Sequence, residues 1–230
     1  MKALLLAAGL GTRLRPLTDS IPKCLVPIKE QALLDIWLQN LTQGGIGPFL
    51  INTHYHPIQV ENYVKSSLYR NQVTLVNEPE LLGTAGTLID NLDFFEGRDG
   101  LLIHADNYCR PDFMEFIRAH EKRPADCVMT MMTFRTESPS SCGIVELDDR
   151  GVVVGFHEKV AAPPGNLANG AIYILSGELL KCLAIEFQGA TDFSTEVLPQ
   201  LVGKILTYET NGPFVDIGTP ESYRRVCAAN

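Results

Sequence analysis

What most constrains the fold of this chain is an alternation of short apolar runs with helical patterns. The run KALLLA at the N-terminus is closed by glycine after too few residues for a helix, and reads as a buried strand. LLDIWLQNLTQGG sets Leu34, Leu38 and Leu41 on one helical face and stops at Gly44-Gly45. PFLINT is a second strand, and Pro57 opens a helix running to about Ser67. The strand VTLVNE, the helix TAGTLIDNL and the strand GLLIHAD follow, then an amphipathic helix, PDFMEFIRAHE, starting on Pro111. Strands separated by helices do not pair as hairpins; they line up in parallel, with helices covering both faces.

From about residue 125 the texture changes. DCVMTMMTF is a core strand, CGIVELDDRGVVVGFHEKV a hairpin turning over Asp148–Gly151, and LANGAIYIL a further strand. Helices are expected near 176–185 and 192–201, and a last one from Pro220. There is no linker, only the loop AAPPGN at 161–166. The expected fold is α/β: a mainly parallel mixed central sheet with helices on both faces, in one domain over 1–230. Two lobes are expected, about 1–110 and about 111–230, and the length suffices for a sizeable core.

Composition narrows the function. No apolar stretch approaches the roughly 20 residues of a bilayer span. Lys2 before Ala3–Leu10 imitates a signal peptide, but Arg13 and Arg15 stand where a small-residue cleavage site belongs. A cytoplasmic protein with no membrane partner is expected. The six cysteines show neither C-x-x-C nor metal-ligand spacing, and are expected to be reduced and partly buried. A net charge of −8 argues against a nucleic-acid surface. Yet residues 1–29 hold five cations against Asp19 alone, a net +4 that leaves −12 for the remainder. Cations gathered beside a glycine turn in an acidic chain point to a small bound anion.

The turn itself is AGLGTRLRPLT. A dinucleotide fingerprint would need a third glycine at position 14, which is Leu14, and Asp35 lies 24 residues past Gly11, in a helix. The P-loop pattern fits nowhere. What remains is a glycine turn at the carboxyl end of a first strand, where α/β folds place ligands and backbone N–H groups can line a phosphate. Arg13 adds a permanently charged fork suited to two phosphate oxygens. Ten residues on, PKCLVP presents Lys23 as a stiffened cation.

GLGTRLRPLT followed by PKCLVPI resembles the paired signature of the sugar-1-phosphate nucleotidyltransferases. ELLGTAGTL resembles that family's base- and ribose-facing segment, and HADN its strand-end aspartate. GIVELD, FHEKV and NLANGAIYI resemble its sugar-binding half, and FVDIGTPESY its closing metal motif. The resemblance runs the whole chain. In detail it is closest to the D-glycero-α-D-manno-heptose 1-phosphate guanylyltransferases, with mannose-1-phosphate guanylyltransferases and N-acetylmuramate-1-phosphate uridylyltransferases next. It implies a Rossmann-like nucleotidyltransferase fold with a nucleotide-binding and a sugar-phosphate-binding lobe. The implied reaction is Mg²⁺-dependent transfer of GMP from GTP to a heptose 1-phosphate, giving GDP-heptose and pyrophosphate for surface-glycan assembly.

By the same resemblance, catalysis falls to Arg13 and Lys23. Nucleotide binding falls to Leu6, Ala8, Gly9, Gly11, Thr12, Arg13, Lys23, Glu80, Gly83 and Thr84. Asn107, Gly143, Glu158, Lys159, Asn169 and Gly170 take the sugar phosphate, Glu158 through sugar hydroxyls and Lys159 through the phosphate. Asp106 and Asp216, 110 residues apart in sequence, hold the metal; alone, each would more simply be a cap or turn. A sugar phosphate is largely dianionic near pH 7, its second pKa being about 6, so no general base is needed. Bringing two polyanions together is the difficulty, and positioning with charge neutralisation is the remedy.

Other residues read more plainly. His54 and His56 lack a third metal ligand and suit a loop near substrate; MTMM at 129–132 is core. His104 stands where related enzymes carry a small or apolar residue, an expected mark of the heptose branch. The chain ends soon after Asp216, so the carboxy-terminal β-helix of larger relatives, with any assembly or feedback site housed there, is expected to be missing. Oligomeric state stays undetermined, a homodimer being one option. Two rivals remain: a non-catalytic nucleotide-sugar-binding regulator, opposed by the presence of Arg13, Lys23, Asp106 and Asp216, and an NAD-binding oxidoreductase, weakened by Leu14.

Overall fold

A computed structural model describes residues 1–228. In chain order its strands are β1 (Lys2–Leu6), β2 (Pro27–Ile28), β3 (Gln31–Ala32), β4 (Phe49–Thr53), β5 (Val73–Asn77), β6 (Gly100–His104) and β7 (Asn107–Cys109). There follow β8 (Met129–Arg135), β9 (Gly143–Leu147), β10 (Val153–Glu158), β11 (Leu167–Leu175), β12 (Ile205–Glu209) and β13 (Phe214–Asp216). The α-helices are α1 (Leu33–Gln43), α2 (Pro57–Ser66), α3 (Gly83–Asp90), α4 (Phe113–Glu121), α5 (Gly177–Glu186) and α6 (Pro220–Ala228). The chain forms two compact units: residues 1–81, 103–111 and the chain from 212 on make the first, 82–102 and 112–211 the second.

In the first unit β1, β4 and β5 pair in parallel, with Ala3 opposite Phe49 and Phe49 opposite Val73. All five residues of β4 are buried, which is why it shows no polar alternation. α1 buries Leu33, Leu34, Ile36, Trp37, Leu38 and Leu41, each large side chain contributing roughly 1.5–3 kcal/mol, and Gly44 stops it. From this anchored helix, Trp37 Nε1 donates to the Asn107 carbonyl at 3.0 Å and Asn40 Nδ2 to that of Cys109 at 3.2 Å. Both bonds hold β7, which pairs antiparallel with β13 so that Asp216 lies opposite Asn107. This ribbon, three residues to a strand, is too short to leave a periodic trace in sequence. β2 and β3 make a still shorter antiparallel pair.

In the second unit β8 pairs antiparallel with β11 and parallel with β12, while β9 and β10 form the expected hairpin. β11 shifts register between Asn169 and Tyr173, where Ala171 takes φ +53°. His120 of α4 is buried, with Nδ1 2.9 Å from Thr130 Oγ1 and Nε2 3.2 Å from Asp99 Oδ2. Asp99 Oδ1 accepts the Gly177 N–H at 2.8 Å and so ties the start of α5 to this pair. Burial, helped by the Arg123 charge and opposed by Asp99, pushes the His120 pKa down to about 4.

The mixed, mostly parallel sheet with helices is the fold class that the strand–helix alternation predicts. Two elements differ. α4 starts at Phe113 and not Pro111, because the Asp112 side chain accepts the Glu115 N–H and caps the helix there. The stretch expected as a helix over 192–201 is a π-helical turn, Phe193–Val197, followed by a 3-10 turn, Leu198–Leu201. Pro199 has no N–H to continue an α-helical ladder. Met129, Met131 and Met132 are core, and Cys24, Cys109 and Cys127 are buried free thiols. No helix among the described residues is long and apolar enough to cross a membrane.

Candidate active site

The chain leaves β1 at Leu6, whose carbonyl accepts the Ala105 N–H at 3.1 Å. The next amide, Ala7 N–H, donates to Asn52 Oδ1 at 2.7 Å, and Asn52 Nδ2 donates to Glu78 Oε1 at 2.9 Å. Both partners are buried at the carboxyl ends of β4 and β5, so the loop begins on a fixed peptide. Gly11 then adopts φ +62° ahead of a 3-10 turn, Thr12–Leu14. A Cβ there would also stand 2.9 Å from Thr18 Cγ2, so conformation and space both demand glycine. Thr18, fully buried, donates its hydroxyl to the Gly11 carbonyl at 2.7 Å. The segment beyond Thr18 is held as well: Tyr55 Oη and His56 Nε2 lie 3.3 and 3.4 Å from the Asp19 carbonyl, and Gln59 Nε2 donates to that of Ser20 at 2.9 Å. His54 Nδ1 lies 2.8 Å from the Glu78 carbonyl, so both histidines serve the loops, as a loop reading requires.

Leu14 packs inward, leaving Arg13 two-thirds exposed at the rim of a cavity of about 110 Å³. Gly9, Gly11, Thr12, Lys23, Asp106 and Gly218 complete its lining. Lys23 is only 5% exposed, a burial that a cation between prolines did not foretell. Its Nζ lies 2.9 Å from Asp106 Oδ2 and 3.9 Å from Asp216 Oδ1, while Arg13 Nη2 lies 3.5 Å from Asp216 Oδ2. The β7–β13 register explains the meeting: Asp106 immediately precedes β7, and Asp216 is the last residue of β13. Asp216 Oδ1 also accepts the Gly218 N–H at 2.7 Å, so the turn reading of this carboxylate holds beside its ion pairs.

Burial alone would push the Asp106 carboxyl up. The Lys23 ammonium, the His104 charge and hydrogen bonds from Lys23 and its own backbone outweigh that and hold it below the usual carboxylate range. The exposed Arg13–Asp216 pair adds little to stability. Stranding the buried Lys23 without a partner would cost about 3–5 kcal/mol. Two carboxylates at an open rim, with no cluster of three His, Cys, Asp or Glu side chains suited to a metal among the described residues, are a poor zinc cage. They suit a hard cation that keeps most of its shell as water and phosphate oxygen, as Mg²⁺ does.

The remaining predicted residues divide by unit. Glu80 is exposed beyond β5, and Asn107, opposite Asp216, accepts the Trp37 indole N–H through its carbonyl. Gly83 and Thr84 open α3 in the second unit, and both are engaged locally. A Cβ on Gly83 would lie 2.3 Å from the Thr191 carbonyl oxygen, and Thr84 Oγ1 accepts the Phe193 N–H at 2.8 Å. In the same unit Gly143 faces Glu158 across the hairpin, where a Cβ would meet Glu158 Oε2 at 2.5 Å. Lys159 Nζ reaches Glu158 Oε1 at 3.1 Å. Asn169 Nδ2 donates to Tyr173 Oη at 2.7 Å, and Gly170 lies within the register shift of β11. Sequence reasoning missed Thr18, Asn52 and Glu78, which lack any motif of their own. It also passed over Gly218, where a Cβ would stand 2.7 Å from both Arg13 Nη2 and Asp216 Oδ1; the glycine in FVDIGTP was the available signal.

The nucleotidyl transferase family matches residues 2–229. A rice protein named "Probable mannose-1-phosphate guanylyltransferase 2" is 30% identical over 97% of this chain and 63% of its own length. Mannose-1-phosphate guanyltransferase 2 of Candida glabrata is 29% identical over 97% and 63%. The chain therefore spans under two thirds of the length of these relatives. The crystal structure of HddC from Yersinia pseudotuberculosis complexed with GMP-PN has a TM-score of 0.82 at 26% identity, covering 98% of this chain and 97% of that one. A Bacillus anthracis structure with a TM-score of 0.87 at 22% identity, covering 99% and 94%, shares the fold.

Proposed function

This chain belongs to the nucleotidyl transferase family, and from that premise we propose that it transfers GMP from GTP to a sugar 1-phosphate, with release of pyrophosphate. The acceptor in this reading is D-glycero-α-D-manno-heptose 1-phosphate. The observation that carries it is the cavity lined by Gly9, Gly11, Arg13 and Lys23, with Asp106 and Asp216 on the same ammonium. At about 110 Å³ it is well below the roughly 300 Å³ of an ordinary small-molecule pocket, and fits phosphate groups better than a whole nucleotide. A second reading, mannose 1-phosphate as acceptor, is favoured by the names of the rice and Candida relatives.

In this mechanism the acceptor phosphate arrives deprotonated and attacks the α-phosphorus without a base. The N–H groups of the Gly9–Thr12 loop line the triphosphate, and Arg13 neutralises charge on the departing pyrophosphate. Lys23 turns its ammonium from the carboxylates to phosphate oxygens at the reacting centre and holds the two phosphates together. Asp106 and Asp216 would hold Mg²⁺, which when bound screens phosphate charge as a Lewis acid. Glu158 and Lys159 receive the sugar hydroxyls and its phosphate, with Gly143 and Gly170 allowing close approach and the Asn169 amide, braced on Tyr173, beside them. Glu80, Gly83 and Thr84 attend the base and ribose.

The test is pyrophosphate release with Mg²⁺ across a grid of GTP, UTP, dTTP, CTP and ATP against heptose, mannose, glucose and N-acetylmuramate 1-phosphates. The GTP–heptose cell is expected to dominate. Dominance of GTP–mannose would install the second reading, and dominance of UTP–N-acetylmuramate would overturn the guanylyl assignment. An empty grid with nucleotide sugars still binding would make the chain a regulator.

A further inference from the structure

β11 advances four residues, from Asn169 to Tyr173, while its partner β8 advances two, from Met131 to Thr133. The excess stands off the ladder as a bulge, with Ala171 at φ +53°, a state that a residue with a β-carbon rarely adopts. One side chain closes it. Asn169 Oδ1 accepts the Ala171 N–H at 2.8 Å, and Asn169 Nδ2 donates to Tyr173 Oη at 2.7 Å. A side-chain amide has two donor hydrogens and two acceptor lone pairs, and these bonds use one of each. Asn169 is half-buried, so one N–H and one lone pair remain for a ligand. On one planar group they suit a hydroxyl, which both accepts and donates.

Tyr173 is fully buried and cannot meet a ligand itself. Its Oη is also hydrogen-bonded to Ser194, and its ring lies 5.0 Å from that of Phe193 at 46°. Phe193 and Ser194 begin the π-helical turn, an element that is rare and concentrates at functional sites. This turn is fastened to the start of α3: Phe193 N–H donates to Thr84 Oγ1 at 2.8 Å, and Ala85 N–H to the Thr191 carbonyl at 3.0 Å. Every residue in this run of contacts belongs to the second unit. Tyr173 therefore stands between Thr84, on the base and ribose side of the proposed function, and Asn169, on its sugar side. Ala171 alone would hold the amide at one atom. The phenol, itself pinned by a packed ring and a second hydrogen bond, adds the point that fixes the amide plane.

We propose that Tyr173 is a positioning residue for the acceptor sugar. Its phenol sets the Asn169 amide so that the remaining N–H and lone pair meet one hydroxyl of the bound sugar. A group that touches no substrate thus governs how well the sugar is held, because an amide free to turn presents its donor and acceptor in the right place only part of the time. The phosphates and the base are recognised elsewhere and do not depend on it. This role rests on the reading of Asn169 as an acceptor-side residue, and adds to it the buried group through which sugar recognition is set.

Isothermal titration of the full chain with GDP-mannose and with GDP, both with Mg²⁺, reads the sugar as the ratio of two dissociation constants. Both acceptors named above have the manno-configured ring of that probe, and binding is measured without turnover. Asn169→Ala is expected to weaken GDP-mannose at least fivefold relative to GDP. Tyr173→Phe keeps the ring against Phe193 and is expected to weaken it at least threefold. Combining the two is expected to cost no more than Asn169→Ala alone, because the phenol acts through the amide. Ser194→Ala, which removes the phenol's other partner, is the second variant should Tyr173→Phe fail to fold, with at least a twofold loss expected. A merely structural Tyr173 would give a lower Tm and an unchanged ratio in Tyr173→Phe, and that result would overturn the positioning role. Losses that add in the double variant would overturn it too. An unchanged ratio in Asn169→Ala, or no heat from GDP-mannose at millimolar concentration, would instead refute the acceptor reading of Asn169, and the role of Tyr173 with it.

Discussion

Replacing Thr18 by valine removes one hydroxyl from beneath the glycine turn and leaves its shape. The hydroxyl donates to the Gly11 carbonyl at 2.7 Å inside a fully buried site, and no water can take its place. The carbonyl is not orphaned, because the Leu14 N–H also reaches it at 2.9 Å. The loss is therefore the net worth of one hydrogen bond, about 0.5–1.5 kcal/mol, and not the full penalty of a stranded acceptor. For a chain of this length that corresponds to a fall in Tm of about 1–6 °C. The functional effect should exceed the thermal one in importance. Thr18 holds the turn, so its loss loosens the backbone amides that the proposed function sets along the triphosphate, and KM for GTP is expected to rise at least about threefold. Calorimetry and initial rates at varied GTP measure both, with Thr18→Ser as the control that restores the donor. A Thr18→Val variant with unchanged Tm and KM, or a Thr18→Ser variant as impaired as Thr18→Val, would refute the claim that this hydroxyl holds the turn.

Arg13→Ala should lower kcat at least about tenfold, roughly 1.4 kcal/mol of transition-state stabilisation, with Tm unmoved because the side chain is two-thirds exposed; unaltered turnover would end its proposed role. Asn52→Asp sets a second carboxylate 2.9 Å from that of Glu78 and should destabilise the chain by at least about 2 kcal/mol in urea titration. Adding Glu78→Gln restores a donor–acceptor pair and should recover most of the loss; no recovery would sever the link from Glu78 through Asn52 to Ala7. His120 has a folded pKa near 4 against about 6.5 unfolded, so the unfolded chain binds the extra proton between those values. Its contribution is complete above about pH 6.5 and is lost as pH falls toward 4, by on the order of 3 kcal/mol. Urea midpoints from pH 7.5 to 4.5 should fall more steeply for the wild type than for His120→Gln, and parallel curves would contradict that assignment.

What was legible in the sequence was whatever has a period or a motif. β1, β4, β5 and β6 are short apolar runs, and α1 and α2 carry their own stop and start in Gly44 and Pro57. Such local signals survive in one dimension. The β7–β13 ribbon does not, because three residues cannot display alternation and its partners are more than 100 positions apart. Its anchors are the side chains of Trp37 and Asn40, which sequence reading could assign only to a helix face. The same limit applied within the site. The glycine turn, Arg13 and Lys23 could be read from residue type and spacing. Their supports could not: Thr18, Asn52 and Glu78 are ordinary residues whose work depends on which backbone groups they meet in three dimensions. The expected helix at 192–201 failed for a local reason that was legible, since Pro199 interrupts it.

The four charges of the rim form one linked set, Arg13 to Asp216 to Lys23 to Asp106, and the burial of Lys23 decides how that set can change. Lys23 opens a short 3-10 turn whose next residues, Cys24 and Leu25, are buried, so the residue is anchored in the core while its side chain lines the small cavity at the rim. A charge so placed can exchange partners but cannot go without one, because an unpartnered buried ammonium is the costly state. The carboxylates are freer: the side chains of Asp106 and Asp216 are 45% and 53% exposed and can take another cation from the solvent side. In the proposed function, phosphate oxygens would give Lys23 an anion in place of Asp106, and Asp106 and Asp216 would then be free to hold a divalent cation that screens phosphate charge. Neither half of that exchange is favourable alone. Lys23 would be stranded by a cation without phosphate, and the two carboxylates would repel a phosphate without a cation. If the proposed function is right, the arrangement of charge within the first unit favours triphosphate and metal entering as a pair, a consequence of the 5% exposure of a single lysine.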